Sequence, residues 1–238
     1  MKDPDQIQQK NLFPDSTIDS LFNYFGFTTL TEIQKKASPI ILQKRDCLVI
    51  APTGSGKTEC SVIPIFSLVK KSKKLGKIKV LYITPLRALN RDVDRRLTEI
   101  TEAVGLRIGL RHGDTKPSER SRQSRNPPDL LVTTPETFQL MFTGKNLREL
   151  LKRVKAVIVD EVHDLAASER GWQLSIGLER LEALSGRSVQ RIGLSATVGN
   201  PEQVAQWLSP KKGKALIITG DRTTDLSVEC TRVTSEDE

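Results

Sequence analysis

The stretch APTGSGKTEC, residues 51–60, follows the apolar run DCLVI and leads into the largely apolar SVIPIFSLV. A strand, a turn holding two glycines and a lysine, then a helix is an arrangement that grips phosphate. Gly54 and Gly56 let the backbone turn its N–H groups toward phosphate oxygens, Lys57 reaches the terminal phosphates, and Thr58 offers a hydroxyl to Mg²⁺. The helix beginning near Gly56 presents its positive end to the same anion. Thr53, Gly54, Ser55, Gly56, Lys57 and Thr58 are therefore the candidate nucleotide ligands. The usual G-x-x-x-x-G-K-[ST] pattern has glycine where this chain has Ala51.

Outward from this loop the chain keeps a rhythm. Runs rich in valine, isoleucine and leucine recur at 47–51, 79–85, 107–113, 129–135, 156–163, 191–197 and 215–220. Most are nearly continuous in apolar residues, as strands buried on both faces must be. Segments of helical character lie between them, at 31–43, 57–72, 86–103, 172–184 and 201–208; the last has Asn200 as its cap and Pro201 at its first position. The alternation predicts one α/β domain, a mostly parallel twisted sheet with helices on both faces. The polar motifs fall at the carboxyl ends of the runs, where such sheets bind ligands.

With 238 residues, 37% apolar and 28% charged, the chain has the composition of a globular protein. No run approaches the ~18 apolar residues of a membrane span, and MKDPDQIQQK lacks the apolar centre of a signal peptide. A cytoplasmic protein without a membrane partner is expected. Cys47, Cys60 and Cys230 have no metal-ligand spacing and are read as structural thiols. The net charge of +8 is unevenly placed: residues 1–30 carry −2 and residues 221–238 carry −4, leaving +14 between them. An excess of that size points to a polyanionic partner, most simply nucleic acid.

A second motif narrows the chemistry. VIVDEVHDL puts Asp160 and Glu161 at the end of an apolar strand. Two adjacent acids there suit two tasks: Asp160 holds Mg²⁺, and Glu161 orients and deprotonates an attacking water. The alternative is that the acids cap the following helix and His163 is a turn residue.

In chain order, APTGSGKT, TPLRALNRD, TTPE, DEVH and LSAT resemble motifs I, Ia, Ib, II and III of superfamily 2 helicases. The continuations DEVHDLAASERGWQLSIGLERL and LSATVGNPEQVAQWL are most similar to the large helicase-related (Lhr) branch, akin to the Ski-like helicases. The likeness covers roughly residues 20–230, and Ala51 is common in that superfamily. It implies a RecA-like P-loop lobe binding ATP and Mg²⁺. It also matches GFTTLTEIQ to the Q motif, making Gln34 the reader of the adenine edge. Ser195 and Thr197 are expected to hydrogen-bond toward Asp160 or His163, so that Lys57, Asp160, Glu161, His163, Ser195 and Thr197 form the catalytic set. Phe25 and Phe27 are core or neighbours of the adenine.

The nucleic-acid face has its own case. Arg87, Arg91 and Arg95 recur every four residues and form one stripe on a helix. Thr84 and the helix start behind Pro85 offer hydroxyl and N–H groups to phosphate, and Thr133, Thr134 and Pro135 repeat the arrangement. RHGDTKPSERSRQSR adds Gly113 and the cations Arg111, Lys116, Arg120, Arg122 and Arg125. The lysines at 70, 71, 73, 74, 77 and 79 are read as solvated surface.

The expected organisation is a leader and the start of the Q-motif region (1–30), the ATP-binding lobe (31–220), and a C-terminal strand and linker (221–238) toward an absent second lobe, which the resemblance says would carry the arginine finger. The implied activity is that of an ATP-dependent helicase acting on single-stranded or forked nucleic acid, DNA favoured over RNA, moving 3′ to 5′, with weak ATPase in the lone lobe. An ATP-liganded nucleic-acid-binding module without motor activity and a phosphotransferase also account for the loop, though neither accounts for DEVH with LSAT.

Overall fold

The computed structural model describes residues 21, 24, 29–70, 77–85, 91–211, 213 and 215–220, the side chains of Arg91 and Asp92 aside. The expectations for Phe25, Phe27, Arg87, Cys230 and the stretch 221–238 lie outside these residues.

Seven short strands form one sheet: β1 Cys47–Ile50, β2 Val80–Ile83, β3 Ile108–Arg111, β4 Leu130–Thr133, β5 Ala156–Val159, β6 Gln190–Ser195 and β7 Leu216–Thr219. Their order is β3-β4-β2-β5-β6-β1-β7, and every pairing is parallel. The sheet expected from the sequence is therefore present, and it is parallel throughout. Helices α1 Glu32–Leu42, α2 Lys57–Lys70 and α3 Arg91–Ala103 come from the first half of the chain, with α4 Pro117–Arg125 after β3. Helices α5 Pro135–Met141, α6 Lys145–Leu151, α7 Val162–Ala166, α8 Glu169–Ser185 and α9 Pro201–Leu208 follow.

Side-chain alternation splits the interior into two cores, because successive strand residues point to opposite faces. Val80, Tyr82, Leu130, Val132 and Ile158 pack with Ile33, Ile41, Phe66 and Leu97 of α1–α3. Leu81, Ile83, Leu131, Val157 and Val159 pack with Phe138, Leu174, Leu178 and Leu208 of α5, α8 and α9. Double-sided burial explains why β2, β4 and β5 read as unbroken apolar runs.

Two polar residues open β6 inside this interior, each with partners. Gln190 donates to the carbonyls of Ile41 and Arg45 at 3.0 and 2.9 Å. Arg191, 2% exposed, reaches Glu179 at 2.8 Å and Glu182 at 3.2 Å. Lys79 corrects one expectation. It is 3% exposed and lies 3.9 Å from Asp129, so the last lysine of that run is a buried ion pair rather than solvated surface. Cys47 and Cys60 are buried free thiols, and burial pushes both above the ordinary thiol range, as inert structural cysteines require. Among the described residues no helix is long and apolar enough to cross a membrane.

Candidate nucleotide site and nucleic-acid edge

The parallel topology brings the carboxyl ends of all seven strands to one edge, and the loop after β1 lies there between the ends of β6 and β7. Gly54 and Gly56 take φ of +80° and +88°, a region that strains other residues. At Gly56 a Cβ would also lie 2.5 Å from the Gln34 amide nitrogen. Lys57 opens α2 and donates from Nζ to the Ala51 carbonyl at 2.6 Å. Burial lowers its pKa, while Glu161 and then Asp160 act in the opposite sense. The ammonium thus lies in the field of both acids.

Gln34 is close to the loop but committed to it. Its Oε1 accepts from the Thr31 N–H at 3.0 Å in a capping box on α1, and its Nε2 reaches the Gly56 carbonyl at 3.4 Å. The Thr31 hydroxyl adds a bond to the Ser55 carbonyl at 3.0 Å. The described geometry therefore ties the start of α1 to the phosphate loop through the same amide that the resemblance assigns to adenine.

At the end of β5, Asp160 is 8% exposed. Its Oδ2 accepts from the Tyr82 hydroxyl at 2.5 Å and its Oδ1 from the Glu161 N–H at 3.0 Å. Burial raises its pKa, and these two donors, followed by Lys57 and His163, pull it back toward the charged form. Tyr82 is fully buried, with Thr58 acting on its hydroxyl. It joins the two residues expected to hold Mg²⁺. Sequence reading missed it: Tyr82 is the one side chain with a polar tip in the strand VLYI. It reaches Asp160 because β2 lies beside β5, with Tyr82 opposite Ile158.

A hydroxyl and a carboxylate are hard oxygen donors that suit Mg²⁺, and the ion ordinarily completes its shell with phosphate oxygens and water. Among the described residues no group of three or more His, Cys, Asp or Glu side chains could hold a metal ion. Replacing Tyr82 by Phe removes a donor from a buried carboxylate, a loss of about 1–3 kcal/mol. Mg²⁺-dependent ATP affinity is expected to fall about tenfold, corresponding to about 1.4 kcal/mol. Affinity in EDTA should be unchanged; fluorescent-nucleotide titrations at graded Mg²⁺ measure both.

Glu161 has φ +47° and ψ 45°, a left-handed conformation that turns the chain sharply from β5 into α7. A non-glycine residue held there costs on the order of 1–3 kcal/mol, strain that concentrates at functional sites. Burial and the neighbouring Asp160 raise its pKa, favouring its action as a base. Its Oε2 is 3.4 Å from His163 Nδ1, and that nitrogen is 2.9 Å from Ser195 Oγ. Ser195 donates its single proton to the Thr197 carbonyl at 2.8 Å, so the imidazole N–H is assigned to Nδ1. A continuous polar chain thereby runs from Glu161 through His163 and Ser195 to Thr197. Thr197 joins it through its backbone.

The edge toward β3 carries the residues expected to meet nucleic acid. The segments containing Thr84 and Thr133 adjoin, the Thr84 N–H donating to the Thr133 carbonyl at 3.0 Å. Both hydroxyls are enclosed and, among the described residues, without a hydrogen-bond partner, so neither faces outward as expected from the sequence. Thr134 caps α5 by accepting from the Thr137 N–H, and Pro135 is the first residue of that helix. Gly113 is exposed. Arg95 is exposed on α3 and lies 4.0 Å from Glu99. Arg122 is bidentate on Glu119 at 2.8 and 2.9 Å, whereas Arg111, Arg120 and Arg125 share the other side of α4. Arg96, one turn along α3, forms an ion pair with the buried Glu59 of α2, linking the phosphate-loop helix to the helix behind the TPLR segment.

The sequence profile of the DEAD/DEAH box helicase family matches residues 31–204. The chain is 39% identical over 226 residues to the Lhr helicase/uracil glycosylase of Escherichia coli, which covers 86% of this chain but 15% of that protein. It is 40% identical over 205 residues to the ATP-dependent helicase Lhr-Core of Saccharolobus solfataricus, covering 81% of this chain and 23% of that one. Among solved structures, Mycobacterium smegmatis helicase Lhr bound to ssDNA and AMP-PNP superposes with a TM-score of 0.79 at 38% identity, over 89% of this chain and 28% of that one. The chain thus spans about a quarter or less of the length of these two curated relatives.

Proposed function

Since this chain belongs to the DEAD/DEAH box helicase family, we propose that it is the first motor lobe of an Lhr-like, cytoplasmic translocase that spends ATP to move 3′ to 5′ along single-stranded DNA. The single observation that carries the reading is the polar chain from Glu161 through His163 to Ser195 and Thr197, which connects the hydrolytic acid of β5 to the end of β6. A nucleotide-binding module without a motor has no need of that connection.

In this reading Lys57 and the N–H groups around Gly54 and Gly56 hold the β and γ phosphates, and Thr58 with Asp160 holds Mg²⁺. The bound ion would neutralise charge developing on the phosphates. Tyr82 fixes the Asp160 carboxylate, and Glu161 orients water and takes its proton. Gln34 contacts the adenine edge, by releasing the Gly56 carbonyl or by offering what remains of its amide. A second RecA-like lobe completes the site and DNA runs over the carboxyl edge of the sheet near Gly113, Thr133 and Thr134.

The test is Lys57→Ala. The variant is expected to lose detectable ATP binding and, in a chain carrying both lobes, DNA-stimulated hydrolysis. Retained DNA-stimulated hydrolysis would remove the phosphate loop from the mechanism. Transfer of phosphate to an acceptor other than water would replace the motor with a phosphotransferase.

A further inference from the structure

Three cations are buried among the described residues, and two of them have carboxylate partners. Lys79 lies by Asp129, and Arg191 is held by Glu179 and Glu182. Arg111, the last residue of β3, is 9% exposed and has no such partner. Its Nη1 makes only long bonds to neutral acceptors, the Arg120 carbonyl at 3.3 Å and Gln123 Oε1 at 3.5 Å. Burial and the adjacent Arg120 charge both lower its pKa, as expected where positive charge is uncompensated.

Arg120 adds an unsatisfied donor. Its Nη2 grips the carbonyls of His112 and Gly113 at 3.0 and 2.7 Å, while its Nε is buried with no acceptor. Arg111, Arg120, Ser121, Ser124, Arg125 and Asn146 line an open depression of about 560 Å³. Among the described residues no carboxylate belongs to that lining. The nearest acid on α4, Glu119, is occupied by Arg122 and Gln123. Three guanidinium groups with no acid among them, one buried and one carrying an orphaned N–H, are a setting that favours an anion.

We propose that this depression is an oxyanion site that seats one backbone phosphate of the nucleic-acid strand. The inference rests on the nucleic-acid reading given above and deepens it by naming a particular anchor. The nucleotide's own phosphates are too distant: β3 and β1 are five strand spacings apart in the sheet, roughly 24 Å at ~4.8 Å each. The open shape suits a phosphodiester continuing on either side. Arg111 is also in register with Thr133, which places the anchor on the same carboxyl edge as the TTPE segment. Through its grip on His112 and Gly113, Arg120 couples an anion in the depression to the exposed loop after β3.

The test uses the 238-residue chain, a labelled oligo-dT and a salt series. Arg120→Gln and the exposed Arg125→Gln remove lining charges. Arg153→Gln removes an exposed charge just before β5, at the opposite edge of the sheet. Arg120→Gln is expected to weaken oligo-dT binding about tenfold at low salt and to reduce the logarithmic salt slope by about 0.7, the contribution of one phosphate on a single strand. Arg125→Gln should act in the same direction and Arg153→Gln should leave the slope unchanged. Melting temperature and nucleotide affinity serve as fold controls. Inorganic phosphate should raise the melting temperature of the parent chain but not of Arg120→Gln.

If the parent binds oligo-dT and both lining variants behave like Arg153→Gln, the anchor is overturned while the nucleic-acid reading stands. If the parent fails to bind oligo-dT yet phosphate stabilises it through Arg120, the ligand is free phosphate and the nucleic-acid assignment falls. Failure of both measurements overturns the oxyanion site itself.

Discussion

A chain extended through a second RecA-like lobe is expected to hydrolyse ATP about 10³- to 10⁵-fold faster than the 238 residues alone, the range attributed to a supplied arginine finger. The charges that act on Glu161 explain why. They are Asp160, His163, Lys57 and Asp164, and those acting on Asp160 are Lys57 and His163. Among the described residues no arginine is one of them. Arg96, the arginine tied to the phosphate-loop helix, is engaged by Glu59. In the proposed reading the described residues supply a phosphate cradle, metal-binding oxygens and a base, but not the cation that would stabilise negative charge spreading over the transferred phosphoryl oxygens. Turnover numbers of the two proteins, each saturated with nucleotide and oligo-dT, give the ratio. Equal rates would mean that the 238 residues complete their own site, for example by self-association, and that no second lobe is needed.

The sequence made some of this site legible for a physical reason. Phosphate binding needs two glycines, a lysine and a threonine within a few residues, and metal and water need two acids at one strand end, so the chemistry is written as contiguous motifs. The strands were equally visible, because burial on both faces leaves runs such as LLVT and AVIV with little polar content. Other features depend on strand order, which no local pattern carries. Tyr82 reaches Asp160 across 78 residues of chain, and Lys79 meets Asp129 from the neighbouring strand segment. A lysine ending a lysine-rich connection looks solvated until its partner is in place. Helix α4 was missed because PSERSRQSR has no apolar face and buries only Gln123. Its sequence advertised charge, whereas its structure sorts that charge into a spent pair, Arg122 with Glu119, and an unspent group around Arg111. Gln34 shows a different limit: the motif locates the amide beside the loop, but not the hydrogen bonds it makes there.

In the two-lobe chain, Glu161→Gln is expected to lower ATP turnover about 10²- to 10⁴-fold, the usual contribution of a positioned base. Affinity for Mg·ATP should stay within a few-fold, because Lys57, Thr58 and Asp160 are untouched. The substitution preserves shape and removes the ability to accept a proton, and glutamine tolerates the left-handed backbone at this position no worse than glutamate does. Stability should accordingly change little, which separates this variant from Asp160→Asn. There a buried carboxylate with two donors is altered, and Mg²⁺ affinity should suffer. The raised pKa of Glu161 also bears on the outcome: burial and Asp160 make its carboxylate a stronger base than a free one, so the lost group is one the fold has tuned for proton transfer. Single-turnover hydrolysis with nucleotide already bound isolates the chemical step. If that step proceeds at the parent rate in Glu161→Gln, water is activated elsewhere, and His163, 3.4 Å from the same carboxylate, becomes the next group to test.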